Sequence, residues 1–206
     1  MTSVEFHSEQ QDRLVSGGTD GLVNILDLSK CEEEEALVTS HNTEDSVASV
    51  VWSREEVVVR THTEAVQTWS PATSSRQVWC RGQVAAGLRR RVEQHVYIAG
   101  VWPHQGEVIV LAGSRCLAGP CLRSVALTGQ GALQPRADFL RPGPSVRSSL
   151  HLKHRDDFVL TGGDDGVIRL WSLGDSKSLS DSGQDSNRKI VSDGSKVRKK
   201  PYTNRK

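Results

Sequence analysis

The sequence predicts an all-β fold built from a repeated antiparallel unit, followed by a polar, basic tail. Three observations predict it. Two segments 145 residues apart, Leu14–Asp27 and Val159–Ser172, share one pattern: an apolar run, a tight polar glycine turn, then an alternating run. A recurring pattern marks one supersecondary unit used several times. Between the copies, short valine-, threonine- and tryptophan-rich runs alternate with turn residues, which is the signature of hairpins. From residue 174 the composition changes to serine, aspartate, lysine and arginine.

The elements follow in chain order. Val4-Glu5-Phe6 is a short entry strand. Leu14-Val15-Ser16 and Leu22–Leu26 flank the turn Gly17-Gly18-Thr19-Asp20-Gly21. Aspartate there hydrogen-bonds nearby backbone, and glycine accepts positive φ without a Cβ clash. Glu32–Glu35 places four like charges together and reads as a solvated loop before the strand Ala36-Leu37-Val38. Val47–Trp52, Val57–Thr61 and Val66–Trp69 form a second unit, with Glu64-Ala65 in place of Asp-Gly. The stretch from Arg76 to Val92 matches poorly and carries Arg89-Arg90-Arg91, a solvated loop or a helical turn. Tyr97–Trp102, Val108–Gly113 and Leu122–Leu127 form a third unit whose turn is rewritten as Ser114–Pro120. The last unit starts at Ser145-Val146-Arg147-Ser148. Its strand Val167–Trp171 carries apolar groups on both faces, which predicts cover on both sides.

These motifs resemble the WD-repeat β-propeller family, whose blades carry a Ser/Thr-Gly-Ser/Gly-x-Asp-Gly turn and a strand ending in Trp-Asp. Ser16–Asp27 and Thr161–Trp171 match well. Leu26-Asp27 lacks the tryptophan of that pair and Trp171-Ser172 lacks the aspartate. The resemblance implies a propeller portion over 1–173 with about four blades of ~40–45 residues. The blades fall near 1–40, 41–92, 93–140 and 141–173, with a disordered basic tail at 174–206. Four blades are fewer than the usual seven of that family. The chain is then a shortened form lacking earlier blades, a small ring, or a chain that pairs with another; the late entry at Val4 favours the first. An incomplete ring leaves unpaired sheet edges.

The resemblance also implies a buried network joining a histidine, a strand Ser/Thr, a turn acid and a tryptophan. Its positions here are His41, Thr61, Glu64 and Trp69 in the second blade, Thr161, Asp165 and Trp171 in the last, and Ser16 and Asp20 in the first. A buried carboxylate needs donors and an indole N–H needs an acceptor, so the set is structural rather than catalytic. No nucleophile–base spacing appears, so no enzyme is expected, and no cofactor either. The glycine turns lack the lysine and following helix of a phosphate loop. Cys31, Cys80, Cys116 and Cys121 do not have zinc-site spacing.

The net charge is +1, but the tail alone holds nine Lys/Arg against four Asp/Glu. Lys196, Arg198, Lys199 and Lys200 suit an import receptor or RNA phosphates. No secretory signal or spanning apolar stretch appears, so the expected place is intracellular, in nucleus or cytoplasm, with no membrane and no small-molecule substrate. The function expected is a protein–protein interaction scaffold, with Trp102, His104, Arg115 and Arg141 as contact residues in or beside loops. The alternative is a nuclear or nucleolar RNA-associated factor acting through the tail.

Overall fold

The computed structural model of the chain describes residues 1–89, 96–116, 119–128, 131–139, 142–152, 158–173, 189–190 and 192–193. Four antiparallel sheets follow one another along the chain. Blade 1 contains β1 (Ser3–Phe6), β2 (Arg13–Gly17), β3 (Leu22–Asp27) and β4 (Leu37–Asn42) in that order. Blade 2 contains β5 (Val47–Ser53), β6 (Glu56–Thr61), β7 (Val66–Ser70) and β8 (Ser75–Trp79). Blade 3 contains β9 (Tyr97–His104), β10 (Glu107–Cys116), β11 (Gly119–Leu127) and β12 (Leu133–Phe139). Blade 4 begins with β13 (Val146–His151), β14 (Phe158–Gly163) and β15 (Ile168–Ser172). Two dipeptides of the tail region also pair: β16 (Lys189–Ile190) runs parallel to β12, and β17 (Ser192–Asp193) becomes the fourth strand of blade 4.

Two short helices interrupt the strands. The acidic run is not a plain loop: α1 (Glu33–Ala36) makes one turn there. The poorly matched segment holds α2 (Arg81–Gly87), where Gln83 Oε1 accepts the Cys80 amide at 2.9 Å. Val84 and Leu88 of this segment are fully buried and pack with Val58, Val96 and Val125.

The core lies between blades rather than within one. Val15, Val23 and Ile25 of blade 1 pack on Val50, Trp52 and Trp69 of blade 2. A second cluster joins blades 2 and 3, and a third joins blades 3 and 4 around Trp102, Leu111 and Trp171. Each fully buried side chain of this kind contributes about 1.5–3 kcal/mol. β6 is buried on both faces through Val57, Val58 and Val59, as its unbroken apolar run requires. Inner strands β1, β5, β9 and β13 pack each on the next, while β13 and β1 share no comparable packing.

Side chains of inner strands also tie blade 1 to blade 2 and blade 3 to blade 4. Ser3 Oγ accepts the Val50 amide at 3.1 Å, and Glu5 Oε2 accepts the Trp52 amide at 3.2 Å. Ser149 Oγ donates to the Ala99 carbonyl at 3.1 Å, and Tyr97 Oη accepts the Val146 amide at the same distance. Cover on both sides of β15, expected from its sequence, is absent. Trp171 is fully buried against blade 3, whereas Ile168 is 56% exposed because no described blade lies beyond it.

Candidate functional site: polar networks and the central groove

Register fixes which residues of different blades are equivalent. Phe6–Leu14–Leu26 form one cross-strand row in blade 1, and Trp52–Val57–Trp69 form the same row in blade 2. His151–Val159–Trp171 is that row in blade 4. In blade 4, Trp171 Nε1 donates to Thr161 Oγ1 at 2.7 Å inside the protein. The structure therefore joins these two residues. Asp165 stands apart from them: Arg169 donates to both its oxygens, at 3.3 and 2.6 Å, and the Val167 amide donates at 3.1 Å. These donors hold its carboxyl below the ordinary range, the Arg169 bond first among them.

Blade 2 departs from the expected set. By register, the position of Thr161 is taken there by Val59, and Thr61 lies further along, at the turn. Thr61 Oγ1 meets Thr63 Oγ1 at 3.1 Å, and Thr63 donates to Asp45. Burial pushes the Asp45 carboxyl up, but the Thr63 and Thr61 hydroxyls and the Ser46 amide outweigh it and hold it below its ordinary value. Asp45 and Thr63 thus do the work assigned to Glu64.

Glu64 is not the counterpart of the turn aspartate. Its amide closes a turn on the Thr61 carbonyl, as the amides of Gly21 and Gly166 close on Gly18 and Gly163. Like those glycines it has positive φ, 63° against 84° and 68°. The turn is therefore Thr63-Glu64, and the side chain leaves it for blade 3, where Oε2 accepts the Ile98 amide at 2.6 Å. Burial raises its pKa, opposed by that amide and by Arg60.

His41 belongs to β4 of blade 1, not to blade 2, and its ring stacks on Trp69 across the junction with centroids 4.8 Å apart. Burial, first, and Arg76, second, lower its pKa. In blade 1, Ser16 pairs with Val4 and Asn24, while Asp20 Oδ1 accepts the Leu22 amide at 3.1 Å.

The contact residues expected in loops divide. Trp102 is a buried strand residue, because its position packs between blades, and its ring stacks on His151 at 5.4 Å. His104 ends β9 and meets His151 edge-on at 5.9 Å. Arg115 lies near the far end of β10, so the register places it at the opposite end of blade 3 from His104. Arg141, Lys196, Arg198, Lys199 and Lys200 lie outside the described residues.

The inner strands of all four blades line one groove of about 490 Å³, with Phe6, Trp52, Arg60, Trp102 and His151 among its walls. Arg60 is committed to the frame, donating to the Ile98 carbonyl at 2.7 Å. At one mouth the first hairpins of blades 1, 2 and 3 are joined. His7 is buried; its Nδ1 accepts the Glu9 and Gln10 amides, and its Nε2 meets the Arg54 carbonyl at 3.1 Å. Only the neutral tautomer with the proton on Nε2 satisfies all three. Arg54 in turn reaches over Gly106, where its Nη2 is 2.6 Å from the place a Cβ would occupy. Sequence reasoning missed His7 because its partners are backbone groups, two from its own hairpin and one, the Arg54 carbonyl, from the neighbouring blade, and no side-chain pattern encodes them. Among the described residues, no group of three or more His, Cys, Asp or Glu side chains could hold a metal ion, and no helix is long and apolar enough to cross a membrane.

Serial antiparallel sheets, inter-blade cores and a groove lined by inner strands define a β-propeller arrangement with four blades among the described residues. The chain is similar to WD repeat-containing proteins. The chain is 25% identical to the WD repeat-containing protein 89 homolog of Dictyostelium discoideum over 118 residues, 55% of this chain and 33% of that protein. It is 25% identical to the serine-threonine kinase receptor-associated protein of Bos taurus over 180 residues, 87% of this chain and 45% of that protein. An uncharacterized WD repeat-containing protein of Saccharomyces cerevisiae is 26% identical over 175 residues, 83% of this chain and 44% of that protein. The chain thus spans a third to under half the length of these relatives. No family model matches it. A chain of the mitotic checkpoint complex superposes with a TM-score of 0.58 at 18% identity, over 83% of this chain and 48% of that one. The computationally designed Ika4 protein superposes with a TM-score of 0.55 at 20% identity, over 84% of this chain and 91% of Ika4.

Proposed function

We propose that the chain is a non-catalytic protein-interaction scaffold whose partners dock across the mouth of the groove at the first hairpins of blades 1, 2 and 3 and at His151 of blade 4. The observation that carries this reading is the continuous rim there. Gln10, His7 and Arg54 link blades 1 and 2, Arg54 covers Gly106 of blade 3, and His104 meets His151 of blade 4. A rim assembled from four rigid blades presents loop side chains at fixed spacing, which lowers the ordering cost of binding. Arg54, Glu55 and Gln105 are exposed on it. Glu64, Ser149 and Tyr97, away from the rim, hold neighbouring blades together. The relatives support the reading in kind: one is by name associated with a receptor, and one structural neighbour is part of a protein complex.

Capture of partners from cell lysate, with and without nuclease and with residues 174–206 deleted, tests it when combined with cross-link mapping. The expected outcome is nuclease-resistant retention by the blades, cross-links at the rim, and at least a tenfold loss in an Arg54→Glu, Gln105→Glu variant, equivalent to about 1.4 kcal/mol. Retention abolished by nuclease or by tail deletion overturns it in favour of RNA association.

A further inference from the structure

We propose that residues 189–193 form a removable strap across blades 3 and 4, and that the edge beneath it is a docking site for an extended strand of a protein partner. In blades 1, 2 and 3 the outer strand follows the third strand after a short connection and pairs along it. β4 lies on Leu22–Leu26, β8 on Val66–Ser70 and β12 on Arg123–Leu127. Blade 4 departs from this pattern. Residues 174–188 come between, and its outer strand β17 pairs only with Leu170 and Trp171 of β15. Just before β17, β16 adds to the outer edge of blade 3, parallel to β12 at Asp138 and Phe139.

The strap sits at one particular place. Ile190 pairs with Phe139 and Ser192 with Trp171. Those two rings meet edge to face, with centroids 5.2 Å apart, in the core between blades 3 and 4. In the chain only Val191 separates the two pairings. Two residue steps span at most about 7 Å. The strap therefore holds both edges only while the two blades are packed as they are here, and opening either one releases it.

Its hold is weak by construction. A backbone hydrogen bond exchanged for water gives little net stability, and ordering the segment opposes it. Two residues on each edge place the strap among the segments that open locally. Release bares the N–H and C=O groups of a sheet edge, a template for another strand. β15 is the better template of the two. It continues past the strap at Ile168 and Arg169 with no described strand beside them, so a longer strand pairs where the strap does not. The open part of β12 contains Pro135, which has no N–H to offer. Recognition on such an edge is by main chain, so the partner is an extended, β-forming segment running antiparallel to β15. This surface is separate from the rim of the groove, and neither reading depends on the other.

Hydrogen exchange of the full chain, and the anisotropy of a fluorescent peptide with the sequence of residues 186–196, test this. A variant carrying Lys189→Pro, Ile190→Pro, Ser192→Pro and Asp193→Pro removes the strap without altering a blade strand, because one of any two successive strand residues must turn its N–H to the neighbour. Exchange in residues 168–172 of the variant is expected to quicken about tenfold, with β2, β3 and β6 unchanged. The peptide is expected to bind the variant about tenfold more tightly than wild type, whose own strap competes from within the chain. Unchanged exchange in the variant overturns the strap. Equal binding to both chains, or binding to neither, overturns the docking site. If protection is also lost throughout β14, the variant has opened blade 4, and wild type alone decides. Rising peptide concentration must then quicken exchange in residues 189–193 while residues 168–172 stay protected, and failure to do so overturns the proposal.

Discussion

The buried bond from Trp171 to Thr161 shows what one hydroxyl does in this molecule. The indole N–H has left water, and Thr161 Oγ1 at 2.7 Å takes its hydrogen bond. Thr161→Val keeps the shape and leaves that donor unpaired, at a cost of about 1–3 kcal/mol. Urea unfolding of the variant is expected to show a lowered midpoint with an unchanged slope; an unchanged midpoint would mean that the bond is replaced. Two carboxyls respond oppositely to pH. Glu64 has its pKa raised above 4.5, so the folded state holds its proton more tightly than the unfolded chain, and stability falls as pH rises from 4.5 through the folded value. Asp45 is lowered below 3.8, so its contribution is present above 3.8 and is lost as pH falls through the folded value. Glu64→Gln is therefore expected to gain stability over wild type at neutral pH and to lose that advantage in acid. Asp45→Asn is expected to lose stability at neutral pH and to approach wild type in acid. Thermal unfolding of both across pH reads the two opposite trends.

At the scale of the element, glycine records how close the blades come. Gly17 reads in the sequence as part of a turn, yet it ends β2 and faces Val47. Gly100 lies mid-strand in β9, and a Cβ there would fall 1.9 Å from Ser149 Oγ of β13. Gly100→Ala is expected to push β9 and β13 apart and break the bond from Ser149 to the Ala99 carbonyl, costing about 1–3 kcal/mol. Differential scanning calorimetry checks it; a shift equal to that of Gly162→Ala, where space is open, would refute the close approach. The strands themselves were legible because alternation and glycine turns are local signals. Thr161 with Trp171 was legible too, since both lie in one repeated motif. Trp102 was not: a tryptophan before Pro103 looks like a loop residue, and only the packing of blade 4 against it makes it core. Asp45 and Thr63 escaped notice because the turn shifts by one residue, placing Glu64 where glycine stands elsewhere.

At the scale of the molecule, stability is a chain of junctions, so damage should travel only as far as the junctions carry it. Blade 3 is held on both sides, through the cluster around Val110 and the cluster around Leu111. Among the described residues, blade 1 is held on one side, against blade 2, by Val15, Val23 and Ile25 and by the bonds of Ser3, Glu5 and His7. Leu111 and Ile25 are both essentially fully buried, and truncating either to alanine costs about 2–5 kcal/mol. The cost should be distributed differently. Ile25→Ala loosens one end, so amide exchange is expected to quicken in residues 3–42 and in β5, while β10, β11 and β14 keep their protection. Leu111→Ala weakens a blade that its neighbours share, so exchange should quicken through blades 3 and 4 together. Hydrogen exchange read by mass spectrometry separates the two patterns. A uniform loss of protection in both variants would show a single cooperative body, with the junctions too strongly coupled to open one at a time.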